Sequence, residues 1–128
     1  MKIALYLNTV CAGFPSPASD YLEGEIDLNR YLIKNPPATF IVKSQGNCLL
    51  QAGIHSGDLL IVDRSIKPQN NSIVIASING DLTVKRIKIL GKKFLLTSDN
   101  KKYGNIEINN ESDIFIWGIV TKVIHNVY

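Results

Sequence analysis

From residue 38 onward, hydrophobic positions come in short β-branched or aromatic runs separated by Gly, Asn, Asp and Pro. Such punctuation predicts antiparallel strands joined by tight turns. The runs span residues 39–43, 59–63, 72–78, 82–89, 93–97, 106–108 and 114–124. Between 72–78 and 82–89 stands Asn79-Gly80-Asp81. Asn-Gly supplies the positive φ values that a two-residue type I′ hairpin turn requires. A second hairpin turn is predicted at Gly91-Lys92.

Helical periodicity is confined to short stretches. Residues 27–33 place Leu28, Tyr31 and Leu32 at i, i+3 and i+4, and Pro36-Pro37 stops that helix. A single helical turn is expected over residues 48–52. Upstream, Gly13-Phe14-Pro15-Ser16-Pro17-Ala18 reads as a linker, because two closely spaced prolines favour extended geometry. The expected organisation is a flexible N-terminal arm, residues 1–20, followed by a mainly β core, residues 21–128. The fold class is thus a compact antiparallel β-rich domain.

Composition adds boundaries to this picture. The 128 residues are 45% hydrophobic and 20% charged, enough for a real core and without the bias of a disordered chain. No apolar run reaches the length of a membrane span. The first dozen residues imitate a signal peptide poorly, since the apolar part is short and interrupted by Asn8 and Thr9. With no export signal, Cys11 and Cys48 are read as reduced thiols and the expected compartment is the cytoplasm. Net charge is +3 and the basic residues are scattered. With neither a helix-turn-helix nor zinc-ligand spacing, no direct sequence-specific DNA binding is expected. His55 and His125 stand alone in the sequence, so no metal site and no cofactor are expected.

Three segments carry candidate chemistry. Ser44-Gln45-Gly46-Asn47-Cys48-Leu49 puts a nucleophilic residue after a Gly-Asn turn at the end of a strand, where adjacent backbone N–H groups can converge as an oxyanion hole. Lys85 lies in Leu82-Thr83-Val84-Lys85-Arg86-Ile87. If the Val84 face were the core, Lys85 would be solvated; if the Ile87 face is the core, Lys85 is partly buried, and alternation leaves both open. A desolvated lysine loses its proton more readily and can act as a general base. Cys11-Ala12-Gly13-Phe14 is a small-residue segment in a loosely held arm, a place where chains are easily cut.

These segments, in this order, resemble the LexA/UmuD family of self-cleaving Ser/Lys peptidases, and most closely its accessory subunits of error-prone Y-family polymerases. The resemblance covers nearly the whole chain. It includes Gly13-Phe14-Pro15-Ser16-Pro17-Ala18 with Asp20-Tyr21, Ile26-Asp27-Leu28-Asn29, Ser56-Gly57-Asp58-Leu59-Leu60-Ile61-Val62-Asp63, Gly80-Asp81-Leu82-Thr83-Val84-Lys85-Arg86 and Trp117-Gly118-Ile119-Val120. It implies that Cys48 holds the nucleophile position, Lys85 is the general base, the N–H groups of Asn47 and Cys48 form the oxyanion hole, and Ala12–Gly13 is the scissile bond. It further implies cleavage promoted by a RecA filament on single-stranded DNA. The product would be a homodimer that joins a UmuC-like Y-family polymerase catalytic subunit. The apolar stretch Ile114-Phe115-Ile116-Trp117-Gly118-Ile119-Val120 is the expected dimer surface.

Two departures accompany the resemblance. Gly46-Asn47-Cys48-Leu49 replaces the family's usual Gly-Asp-Ser-Met, and only twelve residues precede the presumed cut. The alternative reading is therefore a cleavage-defective binding or regulatory subunit that has lost its serine. A LexA-like repressor is disfavoured because there is no room for an N-terminal DNA-binding domain, and a signal peptidase because it would need a membrane anchor.

Overall fold

The computed structural model describes residues 1–6, 22–46, 49, 52–99, 104–109 and 113–127. The chain forms two compact units, Met1–Lys34 and Asn35–Tyr128.

In the first unit, β1 (Lys2–Tyr6) pairs antiparallel with β2 (Leu22–Asp27). Neither strand was expected from the sequence. Leu5 pairs with Gly24 and Tyr6 with Leu22, so β2 carries an extra residue at Glu23. Gly24, at φ 146, adopts a backbone angle that only glycine takes readily. The helix α1 (Leu28–Leu32) follows at once. Asp27 caps it by accepting a hydrogen bond from the Asn29 N–H at 3.1 Å, and Ile33 ends it. The expected helix over 27–33 is thus one residue shorter at each end, with both outer residues serving as caps.

The second unit opens with a 3-10 turn, Pro36–Ala38. The two prolines stop α1 from extending and also begin this turn, where a missing N–H costs nothing. Seven strands follow: β3 (Thr39–Lys43), β4 (Leu59–Asp63), β5 (Ile73–Ile78), β6 (Asp81–Leu90), β7 (Lys93–Thr97), β8 (Ile106–Ile108) and β9 (Ile114–Ile124). They form one antiparallel sheet in the order β3-β4-β9-β5-β6-β7-β8. The β5–β6 hairpin turns at Asn79 (φ 51) and Gly80 (φ 89), the two positive angles of a type I′ turn.

This sheet buries apolar residues on both faces. Leu49, Ile54, Leu60, Val62 and Ile75 form one core, with Val84 and Val120 packed against it. Val74, Ala76, Ile87, Leu96 and Ile119 form the other. Strand β5 therefore feeds alternate residues to two cores, which is why Ile73-Val74-Ile75-Ala76 reads as a continuous apolar run.

Strand β9 runs through the middle of the sheet, between β4 and β5, and carries an extra residue against each neighbour. Thr121 is skipped opposite Ile61 and Val62, and Trp117 opposite Ile75 and Ala76. These bulges bend β9 and switch which residues reach each core. Gly118 sits at this bend. A Cβ there would lie 2.7 Å from Val62 Cγ1 and 3.0 Å from the Asp63 carbonyl oxygen, so close approach of β4 demands glycine. Strand β9 is hydrogen-bonded to β5 over its first half and to β4 over its second. Its exposed positions include Phe115 (63% exposed) and Trp117 (41% exposed).

Candidate functional site

Lys85 lies in β6 directly opposite Val74 of β5 and two residues before Ile87. Directly paired residues point to the same side of a sheet, so Lys85 shares the side of the Val74–Ile87 core. Only 7% of its surface is exposed. The choice that alternation left open is thereby decided, and the reason it was undecidable is visible: Val84, on the other face, is also packed into a core. A buried ammonium or amine needs partners. Lys85 Nζ donates to Ser98 Oγ at 2.8 Å.

Ser98 comes from the residue after β7 and was not singled out in the sequence. A signal for it did exist. The β6–β7 hairpin pairs Arg86 with Thr97, and continuing that register by one residue puts Ser98 opposite Lys85. Next to this pair, Arg86 Nε lies 3.7 Å from Asp99 Oδ1, and Arg86 Nη1 donates to the Asn71 carbonyl at 3.1 Å.

The segment leading to Cys48 is fixed from below by the turn that precedes β4. Ser44 N–H donates to the Asp58 carbonyl and Gly57 N–H to the Ser44 carbonyl, both at 2.8 Å. Ser44 Oγ donates to the His55 carbonyl at 2.5 Å, and Gly46 N–H to Ser56 Oγ at 3.4 Å. Beyond Cys48, the Leu49 carbonyl accepts from the Ala52 and Ile54 N–H groups, and the Leu49 side chain is buried in the first core; most of the helical turn expected over 48–52 lies outside the described residues. Both flanks of the candidate nucleophile position are therefore anchored. Asn47, Cys48, Ala12 and Gly13 lie outside the described residues.

A cavity of about 370 Å³ opens beside these segments, lined by Val42, Lys43, Ser44 and Gln45 on one side and by Ile75, Leu82, Thr83 and Val84 on the other. Ile75 and Val84 belong to the first core, so this cavity opens on the face of the sheet opposite to the one that Lys85 shares, and Lys85 does not line it. The chain matches the Peptidase S24-like family over residues 4–121.

It belongs to that family.

Among curated relatives, Protein ImpA of Escherichia coli is 47% identical over 122 residues, covering 94% of this chain and 82% of the relative. Protein SamA of Salmonella typhimurium is 43% identical, covering 94% of this chain and 84% of the relative. The LexA repressor of Idiomarina loihiensis is 34% identical, covering 94% of this chain but 58% of its own length. As an S24-like chain of the UmuD-like kind, it has the mainly β antiparallel architecture expected of it. Among the described residues, no helix is long and apolar enough to cross a membrane.

A second polar cluster was missed. The reading of His55 and His125 as isolated residues is corrected by the structure: their rings stack at 4.5 Å between centroids, 26° from parallel, and both approach the Asp58 carboxylate. Asp58 is almost wholly buried. Burial works against its ionised form, but the His55 N–H at 2.8 Å, the His125 ring at 2.5 Å and the nearby imidazoles outweigh it and hold the carboxyl below its ordinary value. Asp63, at the end of β4, is likewise held below its ordinary value. Asn35 Nδ2 and Ser65 Oγ donate to it at 2.9 and 2.6 Å, burial opposes, and the Ser65 N–H adds a third donor at 2.8 Å.

Proposed function

We propose that this chain is a UmuD-like accessory subunit of an error-prone translesion DNA polymerase, made in response to DNA damage and activated by cutting itself between Ala12 and Gly13. The observation that carries the reading is the buried Lys85, hydrogen-bonded to Ser98, in a chain similar over 94% of its length to Proteins ImpA and SamA.

In this reading residues 1–20 are the cleavable arm and 21–128 the peptidase-like core. Lys85 Nζ takes the proton of the Cys48 thiol, and Sγ attacks the Ala12 carbonyl carbon. The N–H groups of Asn47 and Cys48 face the oxyanion that forms. Collapse of the tetrahedral adduct breaks the C–N bond, and the Lys85 ammonium passes its proton to the departing Gly13 amine. A water molecule, deprotonated by the now neutral Lys85, then hydrolyses the thioester and returns the thiol. Cysteine suits the role because an unperturbed thiol ionises near 8.5, about two units below an unperturbed lysine. The Ser98 hydroxyl keeps Nζ at a fixed point, which matters because small misplacements of a catalytic group are expensive in rate.

Cleavage is promoted by a RecA filament on single-stranded DNA, and no metal or cofactor takes part. Residues 13–128 then form a homodimer in the cytoplasm through a face that includes Phe115 and Trp117, and join a UmuC-like catalytic subunit. A second reading, a binding subunit that no longer cleaves, is favoured by cysteine in place of serine at position 48. Incubating the purified chain with RecA filaments, or at raised pH, and sequencing the product N-terminus separates the two: a chain beginning at Gly13 supports the first, an uncut chain the second.

A further inference from the structure

The stacked histidines at the C-terminal end of β9 carry a chemistry that self-cleavage does not use. We infer that His55, Asp58 and His125 form a binding site for a divalent transition-metal ion of the zinc class, on the turn that supports the Ser44–Gly46 segment.

One side-chain nitrogen or oxygen from each residue lies within 4.8 Å of the other two. Asp58, 3% exposed, directs Oδ1 to His125 Nδ1 at 2.5 Å and Oδ2 toward His55 Nδ1 at 3.7 Å. A tetrahedral zinc ion with bonds of about 2.0–2.1 Å sets neighbouring ligand atoms about 3.3 Å apart, so the three donor atoms, now within 4.8 Å of one another, draw together around it. The histidine side chains are 49% and 40% exposed, so their rings can turn by the small amount required while the carboxylate stays fixed.

The donor set selects the metal. Two imidazoles and one carboxylate suit zinc and its first-row neighbours, whereas magnesium and calcium call for oxygen ligands throughout. Three protein ligands leave a fourth position open, as in zinc sites that keep a water. A cavity of about 230 Å³, lined by Ser56, Gly57, Asp58, Ile124 and His125 among others, provides the space for it. The metal would take the place of the contact between His125 Nδ1 and Asp58 Oδ1.

The ligands come from two segments that only the fold brings together. Asp58 precedes β4 and His125 follows β9, and the pairing of Leu59 with Ile124 makes them neighbours. An ion here would clip the end of β9 to the 55–58 turn, whose backbone holds Ser44. This inference stands apart from the self-cleavage reading, and neither depends on the other.

The test is zinc titration by calorimetry on the untagged 128-residue chain carrying Cys11→Ser and Cys48→Ser, which removes the competing thiols. The expected result is one ion per chain, no response to magnesium, and displacement of the His55 and His125 ring resonances by NMR. His55→Ala and His125→Ala should each weaken binding by about tenfold or more, since even indirect partners of a metal ligand contribute that much. Both histidines are surface residues, so these variants remain folded by circular dichroism. Absence of saturable binding at millimolar zinc, or undiminished binding in His125→Ala, overturns the inference.

Discussion

Replacing Gly118 with alanine tests how tightly β9 must close on β4. The added Cβ would meet Val62 Cγ1 at 2.7 Å and the Asp63 carbonyl oxygen and carbon at 3.0 and 3.2 Å. Comfortable carbon–carbon contact needs about 3.5–4.0 Å. Neither neighbour can yield easily. Val62 is fully buried in the first core, and Asp63 is held by Asn35 and Ser65 while its backbone pairs with Ile119. The strands must therefore separate, and overpacking of this kind costs about 1–3 kcal/mol. For a domain of this size each kilocalorie lowers Tm by roughly 4–8 °C, so the expected loss is on the order of 5–20 °C. Thermal and urea unfolding followed by circular dichroism measure it directly. A Gly118→Ala protein within about 0.5 kcal/mol of wild type would refute the argument, since that is the range of indifferent surface changes.

Other expected outcomes follow from the same contacts. Lys85→Ala abolishes self-cleavage in protein whose circular dichroism spectrum is unchanged; Ser98→Ala, which removes one hydrogen bond of about 0.5–1.5 kcal/mol, slows it about 2- to 12-fold in single-turnover assays. Cys48→Ser retains or increases cleavage, and alkylation of Cys48 blocks it, as read by gel shift. Because a lysine serves as a base only when neutral, cleavage speeds up as pH rises above neutrality. Asp63, whose carboxyl is held below its ordinary value, stabilises the fold fully above the unfolded value of about 3.9 and loses that contribution as pH falls through the lower folded value. Urea unfolding of wild type and Asp63→Asn should therefore differ most near neutrality and converge in acid; a constant difference would contradict the assignment.

The strands β3 to β9 were legible because each is a β-branched run closed by a turn signal, and the Asn79-Gly80 hairpin was visible down to its turn type. The β1–β2 pair was not. Lys2-Ile3-Ala4-Leu5-Tyr6 is too short to declare itself without its partner, and Leu22-Glu23-Gly24-Glu25-Ile26-Asp27 contains a glycine and three acids that strands usually avoid. Lys85 was legible as a candidate, but its burial depended on a sheet covered on both faces, which alternation in one strand cannot reveal. The His55–Asp58–His125 cluster was hidden for a different reason: Asp58 and His125 are 67 positions apart and meet only through the β4–β9 pairing. The position of β9 inside the sheet, and not at an edge, was likewise a matter of long-range order.

The central claim is that the chain cuts itself at one bond with its own dyad. Intact mass spectrometry after incubation with RecA, nucleotide and single-stranded DNA, run in parallel on wild type and Lys85→Ala, tests it most directly. The account predicts a wild-type product of residues 13–128 that grows with time, and no such product from Lys85→Ala. Loss of the first twelve residues from Lys85→Ala at the wild-type rate would contradict it, and would assign the cut to another protease acting on an exposed arm.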